Sequence, residues 1–195
     1  MTEQVVLVDV GGRAIGTERK SVVHHSDTPL HLAFSAYLFR PGPDGDDLLV
    51  TRRALDKRTF PGVWSNSVCG HPAPGERLSD AVRRRAEQEL GLTVTGLRLV
   101  LPRFSYRAEM DGVVEHELCP VYVGAVEGEP SPDAAEVWGY EWVPWVAYAR
   151  DVREGRREVS TWSREQVTAL LALGPVPSAW PTADLAGLPP ACPPE

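Results

Sequence analysis

The sequence predicts an α+β fold of mixed β-sheets flanked by helices. Three observations lead there. Many short apolar segments are separated by Gly- and Pro-bearing turns. One charged amphipathic helix sits mid-chain, and two further helical patterns follow late. That order suits sheets with helices packed on them.

Val5 to Val10 reads as a strand, and Gly11-Gly12 turns the chain into a second short strand at Ala14 to Glu18. Lys20 to His31 is irregular and polar. Leu32 to Phe39 suits a buried strand, Arg40 to Asp47 a solvated loop, and Leu48 to Arg53 a strand delivering Arg52 and Arg53 to its end. Residues 60–89, FPGVWSNSVCGHPAPGERLSDAVRRRAEQE, hold a cysteine, a histidine, a glycine-bounded loop and a charged helix. The helix is expected from near Ser79 to Leu90, with Gly91 as its C-terminal stop. Leu78, Val82, Ala86 and Leu90 recur at helical spacing and predict its buried stripe. Arg85 and Glu89 lie four apart on another face and can present charge to one ligand. A solvated helix with an ordinary ion pair is the plainer reading, but it leaves the preceding Cys69-Gly70-His71-Pro72 unexplained.

Thr93 to Tyr106 gives one or two strands broken by Pro102, and Val113 to Val126 one long strand running past Gly124. Val137 to Val143 is a strand, while Pro144 to Glu154 and Ser163 to Leu173 read as helices. Residues 1–174 are expected to form a single domain. In residues 175–195, seven prolines fall in 21 residues, which reads as an extended or disordered tail without a core of its own.

A chain of 195 residues can bury one sizeable core, and 43% hydrophobic with 24% charged residues is a globular composition. The net charge of −7 argues against nonspecific nucleic-acid binding. No signal peptide and no membrane span is visible. Cys69, Cys119 and Cys192 are odd in number and widely spaced, which points to reduced thiols and a cytoplasmic location.

The histidines are His24, His25, His31, His71 and His116. On the strand from Val113, Glu115, Glu117 and Cys119 share one face. Together with His24 or His25, His31 and His71, the two glutamates make a nitrogen–oxygen ligand set. Such a set suits zinc, manganese or another divalent transition metal better than calcium. The same spacing suits a solvent-facing strand equally well. Cys69, bracketed by serine and glycine beside His71, is the thiol best placed for proton transfer. Lys20, Arg52, Arg53, Lys57 and Arg85 adjoin this region and suit phosphate groups. Arg83 and Arg84 read as merely solvated. Tyr106 and Trp162 are aromatic residues in polar stretches, and Trp162 can set a π face against a cation.

Gly70, five residues, Glu76, seven residues, Arg84 and the helix to Gly91-Leu92 resemble a Nudix box. Arg85 stands where that box has glutamate, and Gln88-Glu89 where it has a glutamate pair. The departures disfavour multi-metal hydrolysis and leave phosphate binding intact. HLAFS (31–35), LLVTRRAL (48–55), FPGVWSNSVCGHP (60–72) and EHELCPV (115–121) resemble type 1 isopentenyl-diphosphate isomerase, over roughly residues 5–172.

The resemblance implies an α/β/α-type Nudix fold with the loop and helix at the active site. It implies reversible isomerisation of isopentenyl and dimethylallyl diphosphate through a carbocation-like intermediate. By the same resemblance, His24, His31, His71, Glu115 and Glu117 bind Mn2+ or Zn2+, with His24 rather than His25 in register. Glu89 binds a Mg2+ that bridges to the diphosphate. Cys69 and Glu117 exchange protons with substrate, and Tyr106 supports the acidic pair. Lys20, Arg53, Lys57 and Arg85 hold the diphosphate, and Trp162 faces the cationic carbon. The family often has Ser-Pro-Trp where this chain has Ser160-Thr161-Trp162. A monomer acting on a small molecule is expected, with no nucleic-acid or membrane partner. The alternative is a Nudix pyrophosphohydrolase acting on a nucleoside diphosphate derivative, in which Cys69 has no role.

Overall fold

A computed structural model describes residues 3–43 and 45–195. The first of its two sheets contains β1 (Gln4–Val8), β2 (Ala14–Arg19), β3 (His31–Leu32), β9 (Ser105–Met110) and β10 (Val113–Leu118). Their order is β2-β1-β3-β10-β9. The second contains β4 (Phe34–Gly42), β5 (Gly45–Arg53), β8 (Thr95–Leu101), β11 (Val121–Ala125) and β12 (Val137–Pro144), ordered β12-β5-β4-β11-β8. Two short strands, β6 (Trp64–Ser65) and β7 (Val68–Gly70), pair with β5 and β4 respectively. The helices are α1 (Lys20–Val23), α2 (Leu78–Leu90), α3 (Trp145–Arg153) and α4 (Thr161–Leu173).

Side chains alternate along β4, and each set has its own cover. Phe34, Ala36 and Leu38 pack with Leu78, Val82, Ala86 and Leu90 of α2 and with Val6, Val8 and Leu32 of the first sheet. Tyr37 and Phe39 face the other way, against Trp145, Tyr148 and Val152 of α3 and Val167 and Leu170 of α4. The helix–sheet–helix layering agrees with the expected α+β class. The apolar stripe of α2 is the expected one, and Gly91 ends the helix at φ 65°. Its N–H donates to the Glu87 carbonyl at 2.9 Å, the left-handed cap that glycine adopts without steric penalty.

Several expected boundaries move. The strand foreseen from Leu32 to Phe39 divides at Ala33, and the one foreseen from Val113 to Val126 divides at Cys119-Pro120. In each case the chain leaves one sheet and enters the other, and Pro120 has no N–H with which to continue a ladder. Arg40 to Asp47 is not a free loop: β4 and β5 pair through it as a hairpin, with Arg40 opposite Asp47 and Asp44 outside the described residues. The polar stretch after Lys20 contains the single turn α1. Cys69 lies on a strand, with β7 pairing Cys69 to Ser35.

The Pro-rich segment corrects the expectation of an uncommitted tail. It forms short 3-10 turns at Pro177–Ala179 and Leu185–Gly187. Trp180 is only 2% exposed, packed edge-on against Trp145 at 5.1 Å and Phe39 at 6.2 Å between ring centroids. Ala183 N–H donates to Leu99 on the edge strand β8 at 2.8 Å, and Arg98 donates to the Trp180 and Pro177 carbonyls at 2.6 and 3.1 Å. One indole and a covered sheet edge anchor a segment whose prolines need few backbone partners. Among the described residues, no helix is long and apolar enough to cross a membrane.

Trp180→Ala is therefore expected to lower the unfolding free energy by about 3 kcal/mol, the usual cost of emptying a buried indole site. Urea denaturation checks this, and a midpoint equal to the parent's would show that the tail adds nothing to the core.

Candidate active site

The site sits where the chain changes sheets. β3 and β10 run parallel, with His31 beside Glu117, and β4 and β11 continue the same parallel pairing in the second sheet. Ala33 N–H donates to Leu118 O at 2.9 Å and Ser35 N–H to Pro120 O at 3.1 Å, so both strands make the crossing together. β7 adds Cys69 and Gly70 beside the crossing, and His71 follows directly. Gly70 has no Cβ, which lets Arg85 of α2 close on the strand; a Cβ there would meet the Arg85 Cγ at 3.2 Å. From the first sheet's side, α1 ends on His24 as its C-cap.

His24, His31, His71 and Glu117 converge, each offering a ligand atom within 4.8 Å of the others. His31 Nε2 and His71 Nε2 are 3.1 Å apart, and Glu117 Oε1 lies 3.1 Å from His71 Nε2 and 3.6 Å from His31 Nε2. His31 Nδ1 donates to the Pro29 carbonyl at 2.9 Å, which aims Nε2 into the cluster. His24 Nε2 is buried without a hydrogen-bond partner. Burial and the neighbouring histidines pull the pKa of His24 down to about 3, and burial pulls His71 down to about 4. Burial also works against the charged form of His31, but the Glu117 hydrogen bond and charge raise it overall. For Glu117, burial favours the acid, and the hydrogen bonds from His31 and His71 reverse this, holding it well below the usual carboxylate range. The neutral imidazoles of His24 and His71, the orphaned His24 nitrogen and the ionised Glu117 carboxylate fit a divalent cation. His25 is exposed, its Nδ1 accepting from Asp27 N–H at 3.1 Å, so the structure separates it from His24.

Glu115 stands apart from these four. Its Oε2 accepts from Tyr106 Oη at 3.0 Å, and its Oε1 is 3.7 Å from Arg53 Nη2. Burial, then the charge of Glu117, raises the Glu115 pKa. The same Tyr106 hydroxyl lies 2.8 Å from Glu117 Oε2 and ties the two carboxyls together.

A cavity of about 340 Å³ is lined by His24, His71, Glu115, Glu117, Cys69, Tyr106 and Trp162 together with the basic residues Lys20, Arg53, Lys57 and Arg85. Burial pushes the Cys69 thiol up to about 11. Cys119 is fully buried beneath it, in a small apolar cluster with Phe60, Tyr106 and Trp162. The Trp162 ring packs at 5.3 Å from Tyr106 and 5.1 Å from Phe60 between centroids. Trp162 belongs to the first turn of α4, which begins earlier than expected. Ser160 is the N-cap, accepting from Ser163 N–H at 3.2 Å, and it fixes that turn without the proline.

The basic residues are not free. Lys57 forms an ion pair with Glu136 and Lys20 one with Glu3, and Arg85 lies between Glu89 (2.5 Å), Glu136 (3.3 Å) and Glu3 (4.0 Å). Glu89 is itself buried and does not line the cavity. Arg53 donates to Thr59 O and Oγ1, both at 2.8 Å. Arg52 turns away to the Gly62 carbonyl at 2.8 Å. Arg84, expected to be solvated, grips Glu76 with two bonds of 2.7 and 2.8 Å and also reaches the His71 carbonyl at 3.3 Å, locking the loop before α2. Sequence reasoning missed Glu3, Glu136, Ser35 and Asn66. The first two are isolated carboxylates far away in sequence from their partners, Ser35 sits in an apolar run, and Asn66 stands between two serines with no spacing signal.

Residues 29–163 match the family model for the NUDIX domain. The chain is 52% identical over 188 residues to the isopentenyl-diphosphate Delta-isomerase of Saccharopolyspora erythraea, covering 96% of this chain and 95% of that one. It is 54% identical over 173 residues to the Mycolicibacterium vanbaalenii protein of the same name, covering 88% and 93%. A crystal structure from Deinococcus radiodurans superposes with a TM-score of 0.64 at 20% identity, over 86% of this chain and 98% of that one. A MutT protein from Methanosarcina mazei gives 0.56 at 20% identity, over 72% and 92%. The two solved structures establish likeness of fold alone. The domain match spans most of the sequence, and relatives share half its residues along nearly their full length. This chain therefore belongs to the isopentenyl-diphosphate Delta-isomerase family, within the Nudix fold.

Proposed function

We propose that the protein interconverts isopentenyl diphosphate and dimethylallyl diphosphate by adding a proton at one carbon and removing one from another. The observation that carries this reading is a single cavity whose lining combines Cys69, Glu117 and Trp162 with the basic residues Lys20, Lys57 and Arg85. A small apolar chain ending in a diphosphate fits that combination.

The resting pair contains one acid and one base. Cys69 keeps its proton at neutral pH, while Glu117 is ionised. Double-bond transposition takes one proton in and lets one out, so a thiol and a carboxylate on separate strands suit the two tasks. The intermediate carries charge at a tertiary carbon that water would capture. Trp162 lines the cavity and is almost fully buried, so it excludes water there, and a cation set over its ring would gain a π contact. A desolvated cation–π contact gives about 2 kcal/mol, roughly thirtyfold in rate when it exists only in the transition state.

The diphosphate competes with Glu3 and Glu136 for Lys20, Lys57 and Arg85, and its binding fixes the apolar end against the proton-exchanging groups. Arg53 and Tyr106 also line the cavity, Arg53 acting on the anion and on Glu115, Tyr106 on both carboxyls. We assign Mn2+ or Zn2+ to His24, His31, His71 and Glu117, with Glu115 as a further candidate ligand, and Mg2+ to Glu89, which would have to exchange its pairing with Arg85 for the cation. Such cations would supply positive charge that keeps Glu117 ionised and offsets the diphosphate. The enzyme is read as a cytoplasmic monomer.

In deuterated water with isopentenyl diphosphate and Mg2+ plus Mn2+, we expect dimethylallyl diphosphate carrying solvent deuterium and no free phosphate. Release of monophosphate would instead establish a Nudix hydrolase. Cys69→Ala and Glu117→Gln should each lower kcat by about 10²- to 10⁴-fold while the fold persists by circular dichroism; a near-parent rate in either removes that residue from the pair. Saturating Zn2+ or Mn2+ at 100 times its dissociation constant should raise the stability of the parent by about 2.7 kcal/mol. In a thermal melt, His71→Ala should lose most of that gain, and an equal gain in both proteins would place the metal elsewhere.

A further inference from the structure

Asn66 lies between β6 and β7 and is 1% exposed. Its Nδ2 donates to Ala36 O and Val68 O, both at 3.0 Å, so both amide hydrogens are used on backbone carbonyls. The remaining amide atom must then be the oxygen, and its surroundings agree. Trp162 Nε1–H, which can only donate, meets Oδ1 at 3.2 Å. Cys69 Sγ–H donates to the same oxygen at 3.1 Å, and Ser65 Oγ–H at 2.9 Å. Three donors crowd an oxygen with two lone pairs. Ser65 has a second partner, Ser160 Oγ at 3.2 Å, whereas the indole has only Asn66.

We infer that Asn66 is a positioning residue of the isomerisation, tethering the Cys69 sulfur and the Trp162 ring to one atom so that the two keep a fixed geometry relative to each other in the cavity wall. Three features favour this over simple core packing. Trp162 comes from α4 and Cys69 from β7, elements far apart in sequence, and Asn66 Oδ1 bonds directly to both. The tether is rigid, because Nδ2 is anchored to β4 and β7 backbone. Cys69 is also steadied from its other side, by Ser35 Oγ at 3.4 Å, which in turn accepts from Gln166 Nε2 of α4 at 2.9 Å. Asn66 itself is not among the residues bordering the main cavity, so it acts through the two groups it holds.

This inference rests on the isomerase reading above, and the test separates the two. The parent is assayed first for conversion of isopentenyl diphosphate; no conversion overturns both. With an active parent, Asn66→Ala and Asn66→Ser are compared for kcat and KM, along with Trp162→Phe and the corresponding double variants. Loss of positioning predicts kcat down about 10- to 100-fold with KM within about threefold, because the basic residues are untouched. It also predicts that the Asn66 substitution costs less in the Trp162→Phe background, where the shared bond is already gone. In ¹⁵N-labelled protein the Trp162 indole N–H resonance, assigned by its absence in Trp162→Phe, should shift on substitution of Asn66. Asn66→Ser, which retains a buried hydroxyl, serves where Asn66→Ala does not fold. A folded Asn66 variant within twofold of the parent kcat overturns the inference. So does a loss confined to KM, or an effect that is the same in both Trp162 backgrounds.

Discussion

The structure depends on one crossing. Two parallel strands of the first sheet, β3 and β10, pass together into β4 and β11 of the second, bound by the bonds from Ala33 to Leu118 and from Ser35 to Pro120. A crossing interrupts the ladders, so backbone and side chains there need other partners. The same interruption lets polar groups from both sheets meet in one place. His31 and Glu117 approach it from one side, Ser35 and Cys119 from the other, and β7 brings Cys69 alongside. The apolar clusters on both faces of the second sheet fix the crossing, because moving it by one residue would exchange Phe34, Ala36 and Leu38 with Tyr37 and Phe39 between two differently packed clusters.

Burying this much charge is tolerable only because each charge has a partner. Arg85 is 6% exposed and Glu89 7%, and they face each other from successive turns of α2. Glu136 and Glu3 extend the pairing to Lys57 and Lys20. Carboxylates thus balance the basic residues of the cavity. A diphosphate has to be the better partner, and that requirement discriminates against weaker anions. Elsewhere in the site, burial holds His24 and His71 neutral while Glu117, hydrogen-bonded to His71, stays ionised, a donor set that suits a divalent cation.

Much of this was legible in sequence for definite reasons. The period of Leu78, Val82, Ala86 and Leu90 and the terminal Gly91 predict α2 because helix geometry is local. The alternation of Glu115 and Glu117 puts both on one face, and both are buried there. Spacing could not choose between His24 and His25; the short turn α1 does so by ending on His24. Nor could composition reveal that the prolines from Pro175 onward lie against a sheet edge, since one buried indole, Trp180, decides it.

The sequence by itself determined the α+β class, the loop and helix that carry Arg85 and Glu89, and the inventory of thiol, carboxylates, imidazoles and basic residues. These follow from local periodicity, capping and motif spacing, which act over a few residues. Only the tertiary structure decided that Glu117 joins the histidines while Glu115 pairs with Tyr106 and Arg53. It alone revealed that Glu3 and Glu136 occupy the cations, and that Asn66 binds Cys69 and Trp162 through one oxygen. Those outcomes depend on which distant segments share a buried space, where a hydrogen bond or an ion pair is set by strand register and the loss of water rather than by the neighbouring sequence.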